Sequence, residues 1–227
     1  MYPPRCPLCG DVLTKKATRV CSECAGHIQY ISEPMCKKCG KSLLDTTEEF
    51  CGDCLTSEHF YDRGRAVFQY KNEIKYSIYN FKYKNKREYS QFYLEEIDKT
   101  CGDWIRNVAP DVLVPIPLHP HKQRARGYNQ AEEIARKMGE FYCIPVADNL
   151  LYRVVNTIPQ KELSDNNRKK NMKKAFKISE NIVELDIAMV IDDIYTTGAT
   201  MDEVSKLLRR AGFKKIYCLS LCIGDGF

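Results

Sequence analysis

Four Cys-x-x-Cys turns recur near the start of the chain: "CPLC" at 6, "CSEC" at 21, "CKKC" at 36 and "CGDC" at 51, each beginning 15 residues after the last. Such a turn aims two thiolates at one point, and two turns together make a tetrahedral four-thiolate site suited to Zn2+. Equal gaps do not say which pairs share an ion. The flanking residues do: pairs one and three are followed by Gly10 and Gly40, and pairs two and four by no glycine. The repeat unit is therefore two turns long, which favours two sequential ribbons. Cys6, Cys9, Cys21 and Cys24 would hold one zinc; Cys36, Cys39, Cys51 and Cys54 would hold the other. A segment so short and so poor in large apolar residues needs a metal to fold.

The opening "MYPPRCPLCG" lacks the apolar centre of a signal peptide, and no run of 18 apolar residues is present. A cytoplasmic protein without a membrane span is the expectation. Thiols stay reduced in that compartment, so disulfides are a poor account of the cysteines. Redox use is poorer still, since four evenly spaced copies serve no redox purpose. The formal charge of +5 treats cysteine as neutral; eight thiolates and two Zn2+ bring it to about +1. Residues 1–60 hold 7 Lys/Arg against 8 Asp/Glu, so the basic excess lies in the rest of the chain. At 227 residues there is room for an α/β domain beside the ribbons. We divide the chain into a double zinc ribbon, 1–59, and a second domain, 60–227.

Within that second domain "VIDDIYTTGAT", 190–200, joins an apolar run at 187–191 to a stretch with helical spacing at Met201, Val204, Leu207 and Leu208. The pattern is a buried parallel strand, a turn, and a helix ending near Gly212. Open α/β sheets bind ligands at such a turn. Backbone N–H groups at the helix start favour an anion, and small residues let it approach. The paired carboxylates suit ribose hydroxyls or Mg2+ instead. Neither G-x-x-x-x-G-K-[ST] nor G-x-G-x-x-G occurs. The segment resembles the phosphoribosyl-pyrophosphate (PRPP) loop of type I phosphoribosyltransferases. The resemblance implies that Asp192 and Asp193 meet the ribose with Mg2+, and that Thr196, Thr197, Gly198, Ala199 and Thr200 wrap the 5′-phosphate. Where 6-oxopurine enzymes carry a base-binding aspartate, this chain has Thr196, which disfavours hypoxanthine or guanine as acceptor and names no other, since orotate and adenine enzymes also lack that aspartate.

Basic segments surround this core. "VPIPLHPHKQRARGYNQAEEIA" reads as a strand at 111–116, a proline-rich extended loop, and a helix from about Asn129 to Met138. Lys122 and Arg126 in that loop are candidates for pyrophosphate; His119 and His121 read as incidental. A further strand is expected near 144–147. Residues 153–177 hold 8 Lys/Arg and 2 Asp/Glu, which suits a polar flap carrying Arg168. Lys169, Lys170, Lys173 and Lys174 there, with Tyr83 and Tyr89 from the Tyr/Lys stretch 75–89, are candidates for single-stranded DNA; the alternative is an ordinary amphipathic helix pair with a solvated basic face. Cys101, Cys143, Cys218 and Cys222 lack ligand spacing and read as core residues.

In this order, the ribbons, "VPIPLHPHKQRARGYNQAEEIA", "RVVNTIPQKEL…NNRKKNMKKAF" and "VIDDIYTTGAT" resemble the ComF family of competence proteins over nearly the whole chain. The resemblance implies a type I phosphoribosyltransferase-like α/β fold, with a parallel sheet flanked by helices. It implies a cytosolic role in uptake of single-stranded DNA beside the DNA-uptake helicase. It also marks Arg126, Gly127, Asn129, Gln130, Thr157, Gln160, Arg168 and Asn171 as family positions, without assigning their roles or any catalytic residue. An active transferase acting on an unidentified acceptor is the alternative.

Overall fold

The structure is a computed structural model and describes residues 3–14, 19–154, 175–179 and 185–224. The two ribbons repeat one set of backbone bonds. Cys6 N donates to Asp11 O and Gly10 N to Cys6 O; Cys36 N donates to Lys41 O and Gly40 N to Cys36 O. Gly10 and Gly40 take φ of 86° and 78°, which a side chain would strain. Two short helices, α1 (Ser22–Ala25) and α2 (Gly52–Thr56), follow Cys21 and Cys51.

Beyond the ribbons, strands β1 (Arg63–Gln69), β2 (Val112–Pro115), β5 (Ile187–Tyr195) and β6 (Lys215–Ile223) form a parallel sheet ordered β1-β6-β5-β2. Its central strands are apolar on both faces because helices cover both. Met189 and Ile191 of β5 pack with α3 (Asn72–Tyr83), α4 (Tyr89–Val108) and α6 (Gln130–Tyr142). Ala188 and Val190, on the opposite face, pack with α7 (Ala199–Arg210). A short antiparallel pair, β3 (Leu151–Arg153) and β4 (Phe176–Ile178), lies beside α7. It brackets the expected flap, whose residues 155–174 lie outside the described residues.

The ribbons pack onto this sheet. Cys6, Leu8, Leu13 and Cys24 join the core under α3 and α4, whereas Cys36, Cys39, Leu43 and Cys51 join the core around α7. The edge of β1 that β6 leaves open is covered by ribbon backbone: Ile31 N donates to Val67 O, Gln69 N to Gln29 O and Gly64 N to Lys38 O. Gly40 allows that approach, since a Cβ there would lie 2.7 Å from Gly64 O.

Several expectations need correction. The strand at 187 does not end at Ile191; its ladder with β6 runs on to Tyr195↔Ile223, so the acidic pair lies within the strand and not in the turn. The proline-rich loop contains a helix, α5 (Pro120–Arg126), because Pro120 stands at its first position, where no N–H is needed. The strand expected near 144–147 is a single bridge from Val146 to Leu113. Cys143 is exposed at the end of α6, in a left-handed conformation, whereas Cys101, Cys218 and Cys222 are buried as expected. Tyr89 is 2% exposed and packs in the core, so its ring cannot stack on a base.

Candidate functional site

The eight ribbon cysteines form two clusters, Cys6–Cys9–Cys21–Cys24 and Cys36–Cys39–Cys51–Cys54, with the sulfur atoms of each within 4.8 Å of one another. Four thiols converging at that spacing are a donor set that fits tetrahedral zinc. The division into sequential ribbons is the one read from Gly10 and Gly40.

The second site stands at the carboxyl end of β5. Successive strand residues face opposite ways, so Asp192 and Asp193 diverge. Asp193 meets Lys82 of α3, whose Nζ lies 2.9 Å from Oδ2. Asp192 lines a small concavity with Thr196, Gly198 and Thr200, and its Oδ1 accepts the Asp193 N–H at 2.8 Å. Burial and the neighbouring Asp193 charge push the Asp192 carboxyl up to about 7, against the pull of Lys82, that N–H and Arg153. Burial also opposes the charged form of Lys82, but the two carboxylates together hold its ammonium above the ordinary value. Gly198 caps α7 at φ 77°, leaving the backbone of 196–200 at a helix start. Thr197 Oγ1 is buried with no hydrogen-bond partner among the described residues.

Three more cations stand near the pair. Burial and the charges of Arg153, Arg126 and Lys82 push Lys122 below its ordinary value. Burial likewise lowers Arg153, with Asp192 opposing. Lys122 and Arg126, named from sequence, are thus within electrostatic reach of Lys82 and Arg153, the cations that act on the acidic pair. Arg168, Lys169, Lys170, Lys173 and Lys174 lie outside the described residues, as do Thr157, Gln160 and Asn171.

The "RARGYNQ" block acts locally as a clasp on the end of α3. Gly127 ends α5 at φ 79°. Asn129 caps α6 through Ala131 N and donates to Ile116 O at 2.9 Å. Tyr128 donates its hydroxyl to Phe81 O, and Arg126 donates to Gln130 Oε1 and the Tyr83 hydroxyl, both at 3.0 Å. Phe81, Lys82 and Tyr83 are consecutive, so the clasp fixes where Lys82 points. The Arg126 guanidinium also lies over the Tyr83 ring at 4.7 Å. Tyr76, Tyr79 and Tyr83 are each about half exposed along α3 and make an aromatic stripe beside the site.

Lys82 and Arg153 are site residues that the sequence did not single out. For Lys82 a signal existed: with Ile74, Ile78 and Phe81 it falls on i, i+4, i+7 and i+8, the apolar stripe of α3, so it faces inward.

Residues 1–55 match the family described as "Double zinc ribbon domain". The chain is 32% identical over 225 residues to Competence protein F of Haemophilus influenzae, covering 93% of both chains. It is 29% identical to Competence protein ComFC of Streptococcus pneumoniae, over 96% of this chain and 99% of that one. To DNA utilization protein YhgH of Salmonella typhimurium it is 27% identical, over 97% of each. Among the described residues no helix is long and apolar enough to cross a membrane.

Proposed function

The chain belongs to the ComF family of competence proteins, and from that premise we propose that it is a PRPP-binding adaptor in DNA uptake that also engages single-stranded DNA. The observation that carries the PRPP reading is that Asp192 lines one concavity with the 196–200 turn at the end of β5. Asp193, facing the other way, pairs with Lys82, and Arg153, Lys122 and Arg126 lie within electrostatic reach. Ribose hydroxyls would donate to the carboxylates. The 5′-phosphate would sit on backbone N–H groups at the start of α7. Lys82, Lys122, Arg126 and Arg153 would receive the pyrophosphate. The oxygen donors of Asp192 and the pyrophosphate suit Mg2+, which supplies positive charge when bound.

The DNA reading is supported by the Tyr76–Tyr79–Tyr83 stripe, since exposed rings beside cations suit stacked bases and tracked phosphates. The names of the relatives support a role in competence and DNA utilisation. The DNA-uptake helicase is the protein partner this reading implies, with both acting in the cytoplasm. The complete acidic pair and turn also favour a second reading, phosphoribosyl transfer to an unidentified acceptor.

Titration of PRPP with Mg2+ tests the site. Wild type should bind, and Asp192→Asn with Asp193→Asn should not; equal affinity in both refutes the assignment. Release of pyrophosphate with a free base, and no DNA binding at low salt, would make the chain an enzyme first.

A further inference from the structure

The stretch joining the second ribbon to β1 reaches under the turn at 196–200 and holds it from both sides. On the far side, His59 Nδ1 lies 3.0 Å from Asp202 Oδ2, and Phe60 N donates to Asp202 Oδ1 at 3.0 Å. Asp202 belongs to the first turn of α7, and its N–H returns to Gly198 O at 2.8 Å. On the near side, the Tyr61 and Tyr195 hydroxyls are 2.8 Å apart, and Tyr195 is the last residue of β5. The His59 and Tyr61 rings stack at 5.1 Å. Between these anchors Gly198 rests directly on the stretch: a Cβ there would collide with the Tyr195 hydroxyl and lie 3.0 Å from His59 Cε1.

His59 is no surface contact. Its side chain is 1% exposed, and its Nε2 is buried with no hydrogen-bond partner among the described residues. An unpaired buried nitrogen costs free energy, so the Asp202 contact and the ring stack must hold it in place. Tyr61 is in turn roofed by the second ribbon. Lys38 Nζ lies 5.3 Å over its ring, and Tyr61 shares one core with Cys36, Cys39, Cys51, Tyr195 and Met201. The first ribbon packs in the other core, under α3 and α4.

We propose that His59 and Tyr61 are positioning residues for the 196–200 turn, and that through them the second four-cysteine site, but not the first, sets the geometry of ligand binding there. The inference rests on the PRPP reading for its ligand but on the contacts above for its mechanism. Loss of the second site frees Lys38 and Cys39 from the roof of Tyr61, loosens the Tyr61–Tyr195 contact, and lets the turn leave the conformation that Gly198 and Asp202 hold at the start of α7. The ribbons are then a structural part of the ligand site and not an appended module.

Hydrogen exchange of the peptide spanning the turn, measured on the full chain without ligand, tests the mechanism; PRPP–Mg2+ affinity measured on the same proteins tests its consequence. Cys39→Ser, His59→Ala and Tyr61→Phe should each speed exchange of the turn and weaken PRPP, by about tenfold for the first two. Cys9→Ser should lose one zinc and change neither. His59→Asn, which keeps a nitrogen able to donate to Asp202, should recover much of the protection. Tyr61→Phe removes only an oxygen and decides the matter if Cys39→Ser does not fold. Exchange of the turn unchanged in His59→Ala and Tyr61→Phe overturns the proposal, as does an equal response to Cys9→Ser. If wild type binds no PRPP while exchange responds as expected, the ligand reading fails and the positioning role stands.

Discussion

Replacing Lys82 by Met should destabilise the protein in a way that depends on pH. The ammonium is 2.9 Å from Asp193, and the two side chains are only 16% and 13% exposed. At that separation two unit charges attract by about 4–6 kcal/mol at an effective dielectric of about 20, and removing one partner of a buried pair costs about 3–5 kcal/mol. Both side chains keep a small residual exposure, so we expect the lower end of this range, about 3 kcal/mol at pH 8. The sign of the pH dependence follows from Asp192, whose carboxyl is already pushed up to about 7 by burial and by Asp193. A carboxyl raised in the folded state binds its proton more tightly there than in the unfolded chain, so its ionisation costs stability as pH rises from about 4 through the folded value. Without Lys82 that folded value climbs further. The deficit should be largest above pH 7 and shrink toward pH 5.5. Urea unfolding at the two pH values measures it, and Asp193→Asn in the same chain should remove most of it. A loss below about 1 kcal/mol at pH 8 would refute the buried-pair reasoning, as would a deficit undiminished at pH 5.5.

Elemental analysis should return two zinc ions per chain, and Cys9→Ser should retain the ion at Cys36, Cys39, Cys51 and Cys54; loss of both would reject independent sites. Gly198→Ala, at φ 77° and against Tyr195 and His59, should cost about 2–4 kcal/mol in thermal unfolding and abolish PRPP binding; a neutral effect would mean that the turn is not so closely floored. Tyr83→Ala should weaken single-stranded DNA by about 1–3 kcal/mol if its ring stacks on a base; unchanged affinity would remove the stripe from the interface. Neutralising Lys169, Lys170, Lys173 and Lys174 should flatten the salt dependence of DNA binding by about 0.7 per lost phosphate contact, and an unchanged slope would exclude them.

The ribbon partition was legible because glycine at a positive φ is a backbone requirement that shows in sequence, and Gly10 and Gly40 both meet it. The strand, turn and helix from 187 to 212 were legible from the change in apolar spacing. The length of β5 was not. Asp residues disfavour strands, yet Asp192 sits opposite Ser220 because a parallel neighbour pairs with backbone whatever the side chain. Alternating Tyr and Lys could not say which rings were core, so buried Tyr89 and exposed Tyr83 read alike. His59 was invisible for another reason. Its partner is 143 positions away, and no local pattern announces a contact of that range.

The strand order has a consequence for how the chain is made. β1 lies at an edge of the sheet and its strand partner is β6, so it emerges from the ribosome long before the surface it pairs with. At ordinary rates of translation the wait from Gln69 to Lys215 is on the order of ten seconds, ample time for a bare strand to find a wrong neighbour. The ribbons precede β1, and their backbone at Gln29, Ile31 and Lys38 already occupies its other edge. A nascent chain that acquires its metal early therefore carries its own escort for the first strand. One starved of zinc during synthesis would expose that strand on both sides and should accumulate as aggregate even where the finished protein tolerates chelation.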